Sequence, residues 1–166
     1  MATLSLKGTA INSRGDLPEV GSQAPNFELA AADLSNKTLS DYKGVRVILN
    51  IFHSIDTGTC AASVRQFNQE AAELENTKVL CISKDLPFAM SRFCAAEGIE
   101  NVEILSDFRD GNFGEAYNLT YVDGPIRGLL ARAIIVLDET GKILHTEQVY
   151  EVVEEPNYKA ALEVLY

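Results

Sequence analysis

The sequence has little of what several classes of protein require. It contains no tryptophan, two histidines and only three cysteines in 166 residues. Three cysteines are too few, and an odd number, for a framework of structural disulfides, and this usage indicates a reducing compartment. A chain of this length can bury a sufficient core without disulfides or a structural metal. We therefore expect one domain that spans residues 1–166.

Positive charge and long apolar runs are also scarce. Fourteen Lys and Arg oppose 24 Asp and Glu, which gives a net charge of −10 and disfavours nucleic acid and anionic membrane as partners. The longest apolar runs, on either side of Arg132, fall far short of the ~20 residues that cross a bilayer. The first residues lack the apolar core and cleavage site of a secretory signal. We therefore expect a soluble, cytoplasmic protein with no nucleic-acid or membrane partner.

The best-defined segments predict an α/β protein. An apolar, β-branched run from Val45 to Phe52 is typical of a strand buried on both faces. A helix follows, with Thr57 as a suitable N-cap and apolar residues recurring at helical spacing. Val79–Ile82 is a second apolar run, so the order strand, helix, strand indicates a right-handed βαβ unit with parallel strands.

The remaining segments complete a mixed sheet. Before the βαβ unit we predict an N-terminal β-hairpin over residues 3–11, a short strand over 26–30 and a turn over 33–37. After it we predict a helix that is capped by Ser83 or Asp85, carries Cys94 and ends at Gly98. A strand over 102–105, a short helix over 112–117, an antiparallel hairpin of 131–137 and 142–149, and a last helix opened by Pro156 follow. This order is consistent with a thioredoxin-like fold, in which helices flank a central mixed sheet.

Cys60 holds a position suited to chemistry. If Thr57 is the N-cap, Cys60 is the third helical residue, where free backbone N–H groups and the helix dipole stabilise an anion. The loop after a central strand is also where open α/β sheets place reactive groups. From position alone, however, a functional thiol and a small buried apolar residue remain alternatives.

Several stretches resemble one known family over almost the whole chain. They are Leu49–Phe52, Ser54–Gly58 before Cys60, Ala61–Asn68 after it, Leu80–Ser83, Asp85–Ala89, Arg92–Cys94, Gly124–Pro125 through Arg132–Ala133, and Glu155–Tyr158. On these residues the chain resembles the bacterial thiol peroxidases, which are atypical two-cysteine peroxiredoxins. The resemblance implies an enzyme that reduces hydrogen peroxide and organic hydroperoxides without a metal or organic cofactor, with thioredoxin as reductant, and that forms a homodimer.

The resemblance also assigns roles to residues. Cys60 matches the peroxidatic cysteine, which becomes a sulfenic acid, and Cys94 matches the resolving cysteine, which forms an intrachain disulfide with it. Thr57 and Arg132 match the residues that orient the peroxide and stabilise the thiolate. Without the resemblance, Thr57 is a helix cap, Arg132 a surface or edge charge, and Cys94 a packing residue. Cys81, between two apolar residues of a strand, is expected to be inert.

His53 departs from the family pattern, which has proline at this position. A histidine restores a backbone N–H donor, frees φ and brings a group that titrates near neutral pH close to Cys60. We therefore treat His53 as a modulator of Cys60, by shielding the thiol or by tuning it electrostatically. A solvent-facing histidine without a role is the alternative.

Other functions fit the sequence less well. A dithiol oxidoreductase requires a Cys-x-x-Cys pair, and a zinc site requires closely spaced ligand pairs, neither of which is present. A cysteine hydrolase would depend on His53 or His145 as its base. A non-enzymatic redox sensor that uses the same Cys60–Cys94 disulfide is the main alternative, and catalytic turnover distinguishes it from a peroxidase.

Overall fold

A seven-stranded mixed sheet runs through the molecule, and the computed structural model describes residues 1–166. The strands are β1 (Ala2–Leu6), β2 (Thr9–Ser13), β3 (Glu28–Ala31), β4 (Asn36–Thr38), β5 (Arg46–Ile51), β6 (Thr77–Ser83), β7 (Glu103–Ser106), β8 (Ala133–Leu137) and β9 (Ile143–Gln148); the helices are α1 (Gly58–Ala71), α2 (Pro87–Glu97), α3 (Asn112–Ala116) and α4 (Tyr158–Glu163). No helix is long and apolar enough to span a bilayer.

The strand order is β4-β3-β7-β6-β5-β8-β9. β6 pairs in parallel with β5 and β7, which confirms the predicted parallel βαβ unit. The other four pairings in the sheet are antiparallel. β1 and β2 form a separate two-stranded hairpin, and β8 and β9 form the predicted antiparallel hairpin. The α/β class and the thioredoxin-like arrangement are therefore confirmed.

The neighbouring strands β5 and β8 are buried on both faces. In β5, Val47, Leu49 and Ile51 face one apolar cluster, whereas Ile48 and the following Phe52 face the other. This alternation follows from the two-residue period of a strand. The first face is covered by the N-terminal hairpin and α3, and the second by α1, α2 and α4. Cys60 lies on the second face, at the carboxyl end of β5.

The start of α2 differs from the prediction. Neither Ser83 nor Asp85 is its N-cap: Ser83 stays in β6, paired with Ser106, and the helix is preceded by Leu86 with Pro87 at its first position. The Asp85 carboxylate instead accepts hydrogen bonds from the loop before α1. A side chain with partners in another loop is not free to cap its own helix. The predicted end holds, since Gly98 closes α2 in the left-handed region with φ 67°.

Two smaller boundaries also differ. Pro156 does not open α4; the helix begins after Asn157, whose side chain accepts a hydrogen bond from the Ala160 N–H at 3.1 Å. Asparagine is a better N-cap than proline because its carbonyl satisfies a free helical N–H. The predicted turn over 33–37 is shorter than expected, because Asn36 and Lys37 already pair with β3 as part of β4.

Candidate active site at Cys60

The loop between β5 and α1 is held by a carboxylate from the neighbouring strand end. Asp85 Oδ1 accepts a hydrogen bond from Ser54 Oγ at 2.9 Å, and Asp85 Oδ2 accepts one from the Ile55 N–H at 2.7 Å. Ser83 Oγ donates to the same Oδ2 at 2.6 Å. Bonds to an ionised acceptor are the stronger kind. Asp85 therefore fixes the backbone that leads into α1, a role that sequence reasoning missed.

Cys60 is the third residue of α1 and is fully buried. Thr57 is the N-cap, with the extended backbone that the prediction requires (φ −105°, ψ 147°). Because the first N–H groups of a helix lack intrahelical acceptors, the Cys60 thiol lies where a negative charge is stabilised. The predicted position of Cys60 in the helix is therefore confirmed.

Three side chains act on the Cys60 sulfur. Burial raises the pKa of the thiol, but a hydrogen bond from His53, the charges of Arg132 and His53 and a hydrogen bond from Thr57 outweigh it and lower the pKa from 9.0 to about 7. Cys60 Sγ lies 3.6 Å from His53 Nδ1 and 3.8 Å from Nε2. A substantial fraction of the thiol is therefore ionised near neutral pH.

His53 is 9% exposed, so the solvent-facing alternative for this residue is wrong. It follows Phe52 at the end of β5 and lies in the loop that Asp85 holds. Because a short loop joins the buried strand β5 to the buried Cys60, the His53 imidazole lies against the Cys60 sulfur.

Arg132 is also buried, at 1% exposure, and is not a surface or edge charge. It immediately precedes β8, whose pairing with β5 brings it to the same end of the sheet as Cys60. Its Nε and Nη2 donate to the Val152 carbonyl at 3.2 and 2.9 Å, whereas Nη1 is buried without a partner. A buried, unpaired guanidinium donor is costly unless a ligand uses it.

Thr57 has its hydroxyl close to the helix entry. Thr57 Oγ1 donates to the Ser54 carbonyl at 3.0 Å, and the Thr57 N–H donates to the same oxygen at 3.2 Å. The hydroxyl has a single proton, so it donates either to the Ser54 carbonyl or to the Cys60 sulfur, and it lowers the pKa of the thiol when it turns to the sulfur.

Tyr121 is a further residue of this site that sequence reasoning missed. Its ring is 1% exposed and its hydroxyl is buried without a partner. Burial raises the pKa of this phenol, and Arg132 and Cys60 both lie close enough to act on it electrostatically. Nothing in the local sequence distinguishes Tyr121 from a core aromatic residue, so no pattern would have identified it.

The other two cysteines have different surroundings. Cys81, in β6, is fully buried, receives a hydrogen bond from Asn50 Nδ2 at 3.6 Å and has its pKa raised by burial to about 12. Cys94 is half-buried on α2, and burial raises the pKa of its thiol too. All three thiols are free, and Cys94 is not hydrogen-bonded to Cys60. The fold thus brings Cys60, Thr57, His53 and Arg132 together, whereas Cys94 forms neither a disulfide nor a hydrogen bond with Cys60.

The protein has a thioredoxin-like sheet and, at the start of helix α1, one buried thiol with a lowered pKa. This combination defines a thiol-reactive protein of the peroxiredoxin type. Residues 19–162 match the Redoxin family, and the chain belongs to that family. It is 54% identical to the thiol peroxidase of Mycobacterium bovis over 165 residues, 99% of each chain. The resemblance to bacterial thiol peroxidases is therefore confirmed.

Solved structures agree with this assignment. A peroxiredoxin-like protein from Aquifex aeolicus superposes with a TM-score of 0.91 at 36% identity, covering 98% of this chain and 95% of that one. A thiol peroxidase from Chromobacterium violaceum superposes with a TM-score of 0.88 at 20% identity, covering 98% and 94%. The second likeness concerns the fold alone.

Proposed function

We propose that the chain is a thiol-dependent peroxidase that reduces hydrogen peroxide and organic hydroperoxides. The observation that carries the proposal is the Cys60 thiol, fully buried at the start of α1 with a pKa lowered to about 7. The 54% identity to a thiol peroxidase over nearly the full length supports it. A lowered pKa matters because the thiolate is the nucleophile.

In the first step the Cys60 thiolate attacks the terminal oxygen of the peroxide. The S–O bond forms as the O–O bond breaks, the sulfur is oxidised to a sulfenic acid, and the other oxygen leaves as an alcohol or water after it gains a proton. The unpaired Arg132 Nη1 can donate to the peroxide, and the Arg132 charge stabilises negative charge that moves onto the leaving oxygen. Thr57 contributes a hydroxyl that orients the peroxide.

In the second step Cys94 resolves the sulfenic acid. Its thiol attacks Cys60 Sγ, a Cys60–Cys94 disulfide forms, and the sulfenic oxygen leaves as water. A dithiol reductant of the thioredoxin type then reduces the disulfide by thiol exchange. The partial exposure of Cys94 gives such a reductant a sulfur that it can reach.

The proposal includes a cytoplasmic location and a homodimer. Three unpaired thiols are typical of a reducing compartment. The homodimer follows from the family resemblance, and sedimentation of the reduced protein tests it.

The test is peroxide-dependent oxidation of NADPH in the presence of thioredoxin and thioredoxin reductase. We expect Cys60→Ser to abolish peroxide consumption and Cys94→Ser to end thioredoxin-supported turnover while leaving one stoichiometric oxidation of Cys60. Cys81→Ser is the matched control and should keep wild-type turnover. Full activity in Cys60→Ser contradicts the mechanism, and a single turnover in the wild-type protein favours the redox sensor.

A further inference from the structure

The His53 imidazole lies directly beside the Cys60 sulfur. Both ring nitrogens lie within 3.8 Å of Cys60 Sγ, and both residues are buried. The sulfur is nearly equidistant from the two nitrogens, so either tautomer leaves an unprotonated nitrogen beside the thiol. An imidazole in this position can accept the thiol proton.

The other ionisable groups around this pair cannot do the same. Arg132 is a permanent cation and has no acceptor atom. Tyr121 keeps its proton because burial raises the pKa of its phenol. The Asp85 carboxylate, from the loop after β6, is occupied by three donors, and Asp56 lies on the surface near Arg92. His53 is therefore the base available to Cys60.

The same imidazole is placed to return the proton. A peroxide attacked by Cys60 Sγ must lie against that sulfur, within the same buried space that His53 and Arg132 border. The leaving oxygen of an alkyl hydroperoxide is strongly basic and departs faster when it is protonated as the O–O bond breaks. Proline, the family residue at this position, has no group that could supply this proton.

We propose that His53 is an acid–base residue of the peroxidase reaction, which accepts the Cys60 thiol proton and delivers it to the leaving oxygen. The thiol and the neutral imidazole become a thiolate and an imidazolium. The thiolate then forms the S–O bond, the O–O bond breaks, and the imidazolium proton moves to the departing alkoxide. The products are the Cys60 sulfenic acid, an alcohol and neutral His53, so protons and electrons balance. This inference rests on the proposed peroxidase function.

Two measurements on His53→Gln and His53→Asn test the proposal. The first is the pH dependence of Cys60 alkylation, followed by mass spectrometry of the Cys60 peptide in the full chain. We expect the midpoint to rise by about one pH unit or more when the imidazole is removed. Because this measurement needs no peroxide, it remains informative even if the wild-type protein has no peroxidase activity, which would overturn the proposed function instead.

The second measurement separates proton delivery from thiolate formation. Sulfenic acid formation is measured with tert-butyl hydroperoxide, whose alkoxide needs a proton, and with peracetic acid, whose acetate does not. At the optimum pH of each protein, we expect the ratio of these two rates to fall at least ~10-fold in both His53 variants.

His145→Gln is the matched control, because it removes the other histidine, which lies on β9 away from the site. It should leave both the alkylation midpoint and the rate ratio at their wild-type values. An unchanged midpoint in the His53 variants overturns the role of base, and an unchanged ratio overturns the role of acid. Circular dichroism establishes that the variants are folded, and the smaller asparagine serves if glutamine does not fit.

Discussion

At the scale of single residues, three chemically identical thiols have three different surroundings and therefore different pKa values. Cys60 has its pKa lowered to about 7 by His53, Arg132 and Thr57, despite its burial. Burial raises the pKa of Cys81 to about 12, although a hydrogen bond from the Asn50 side-chain amide acts in the opposite direction. Cys94 is more exposed than either of them and also has a raised pKa. Neighbouring donors and charges, rather than burial alone, therefore decide which thiol has the lowest pKa.

Thr57 offers a residue-scale prediction. Thr57→Val keeps the shape of the side chain but removes the hydroxyl that donates to the Ser54 carbonyl and lowers the pKa of Cys60. We expect a higher midpoint for Cys60 alkylation and a ~100–1000-fold slower formation of sulfenic acid, which is the size typical of a lost transition-state hydrogen bond. Stopped-flow reaction with hydrogen peroxide measures the rate.

Thr57→Ser is the control for this prediction, since it keeps the hydroxyl and loses only a methyl group. It should retain a rate within a few-fold of wild type. If Val and Ser slow the reaction equally, the methyl contact rather than the hydroxyl is what matters, and the role given to Thr57 is wrong.

The residue-scale site was only partly predictable from the sequence. Cys60 and Thr57 are three positions apart, so local helix geometry and capping chemistry identify them. The burial of Arg132 depends on the pairing of β8 with β5, and that of Tyr121 on the loop before β8. Arg132 and Tyr121 lie 72 and 61 positions after Cys60, so no local pattern connects either residue with it. The family resemblance identified Arg132 as a site residue, but no feature of the sequence identified Tyr121.

At the scale of elements, apolar runs and helical periodicity predicted the central β5-α1-β6 unit, whereas the starts of helices α2 and α4 were less predictable. A buried run of β-branched residues has few alternatives to a strand. A cap, by contrast, depends on which of several polar side chains is free. Asp85 satisfies the loop before α1 and so cannot cap α2, and Asn157 displaces Pro156 at α4. These outcomes depend on contacts between loops.

The two helices that carry the reactive thiols are linked by surface contacts. Arg65 on α1 donates to both Glu97 carboxylate oxygens on α2, at 3.3 and 2.7 Å, and its guanidinium lies 5.5 Å from the centre of the Phe93 ring. Such exposed contacts stabilise by at most ~1 kcal/mol each. The last turn of α2 ends on the Cys94 carbonyl, which accepts from the Gly98 and Ile99 N–H groups. Little free energy therefore resists local unwinding around Cys94.

Disulfide formation should accordingly change both helices. A disulfide requires Cα atoms within ~7 Å, and the two thiols, one fully buried at the start of α1 and one half-buried on α2, form no bond in this structure. We expect oxidation by one equivalent of hydrogen peroxide to accelerate amide hydrogen exchange in the first turn of α1 and in the α2 turn that contains Cys94. Mass spectrometry of reduced and oxidised protein measures this exchange.

Cys94→Ser treated in the same way is the control, because Cys60 is oxidised but no disulfide forms. Its α2 exchange should stay at the reduced value. Equal exchange of α2 in the reduced and oxidised wild-type protein would mean that the disulfide closes without rearrangement.

At the scale of the whole molecule, the sheet separates two apolar clusters, and the cluster beneath α1, α2 and α4 contains Cys60 and Cys81, with Cys94 packed against it. The reactive group is thus part of the same core that stabilises the fold. A charged thiolate in that core couples the protonation of Cys60 to the free energy of unfolding. The coupling has a definite sign, because the pKa of Cys60 is lower in the folded chain than in the unfolded one.

The stability of the reduced protein should therefore depend on pH through Cys60. A drop in pKa from 9.0 to about 7 corresponds to about 2–3 kcal/mol of stabilisation. This contribution is fully present above the unfolded pKa near 9 and is lost as the pH falls through about 7.

Urea unfolding of wild type and Cys60→Ser under reducing conditions should give a difference in free energy that grows in favour of wild type from pH 7 to pH 9. The raised pKa values of Cys81 and Cys94 act in the opposite direction above pH ~8.5, but they occur in both proteins and cancel. A difference that stays constant across this range would mean that the fold does not stabilise the Cys60 thiolate.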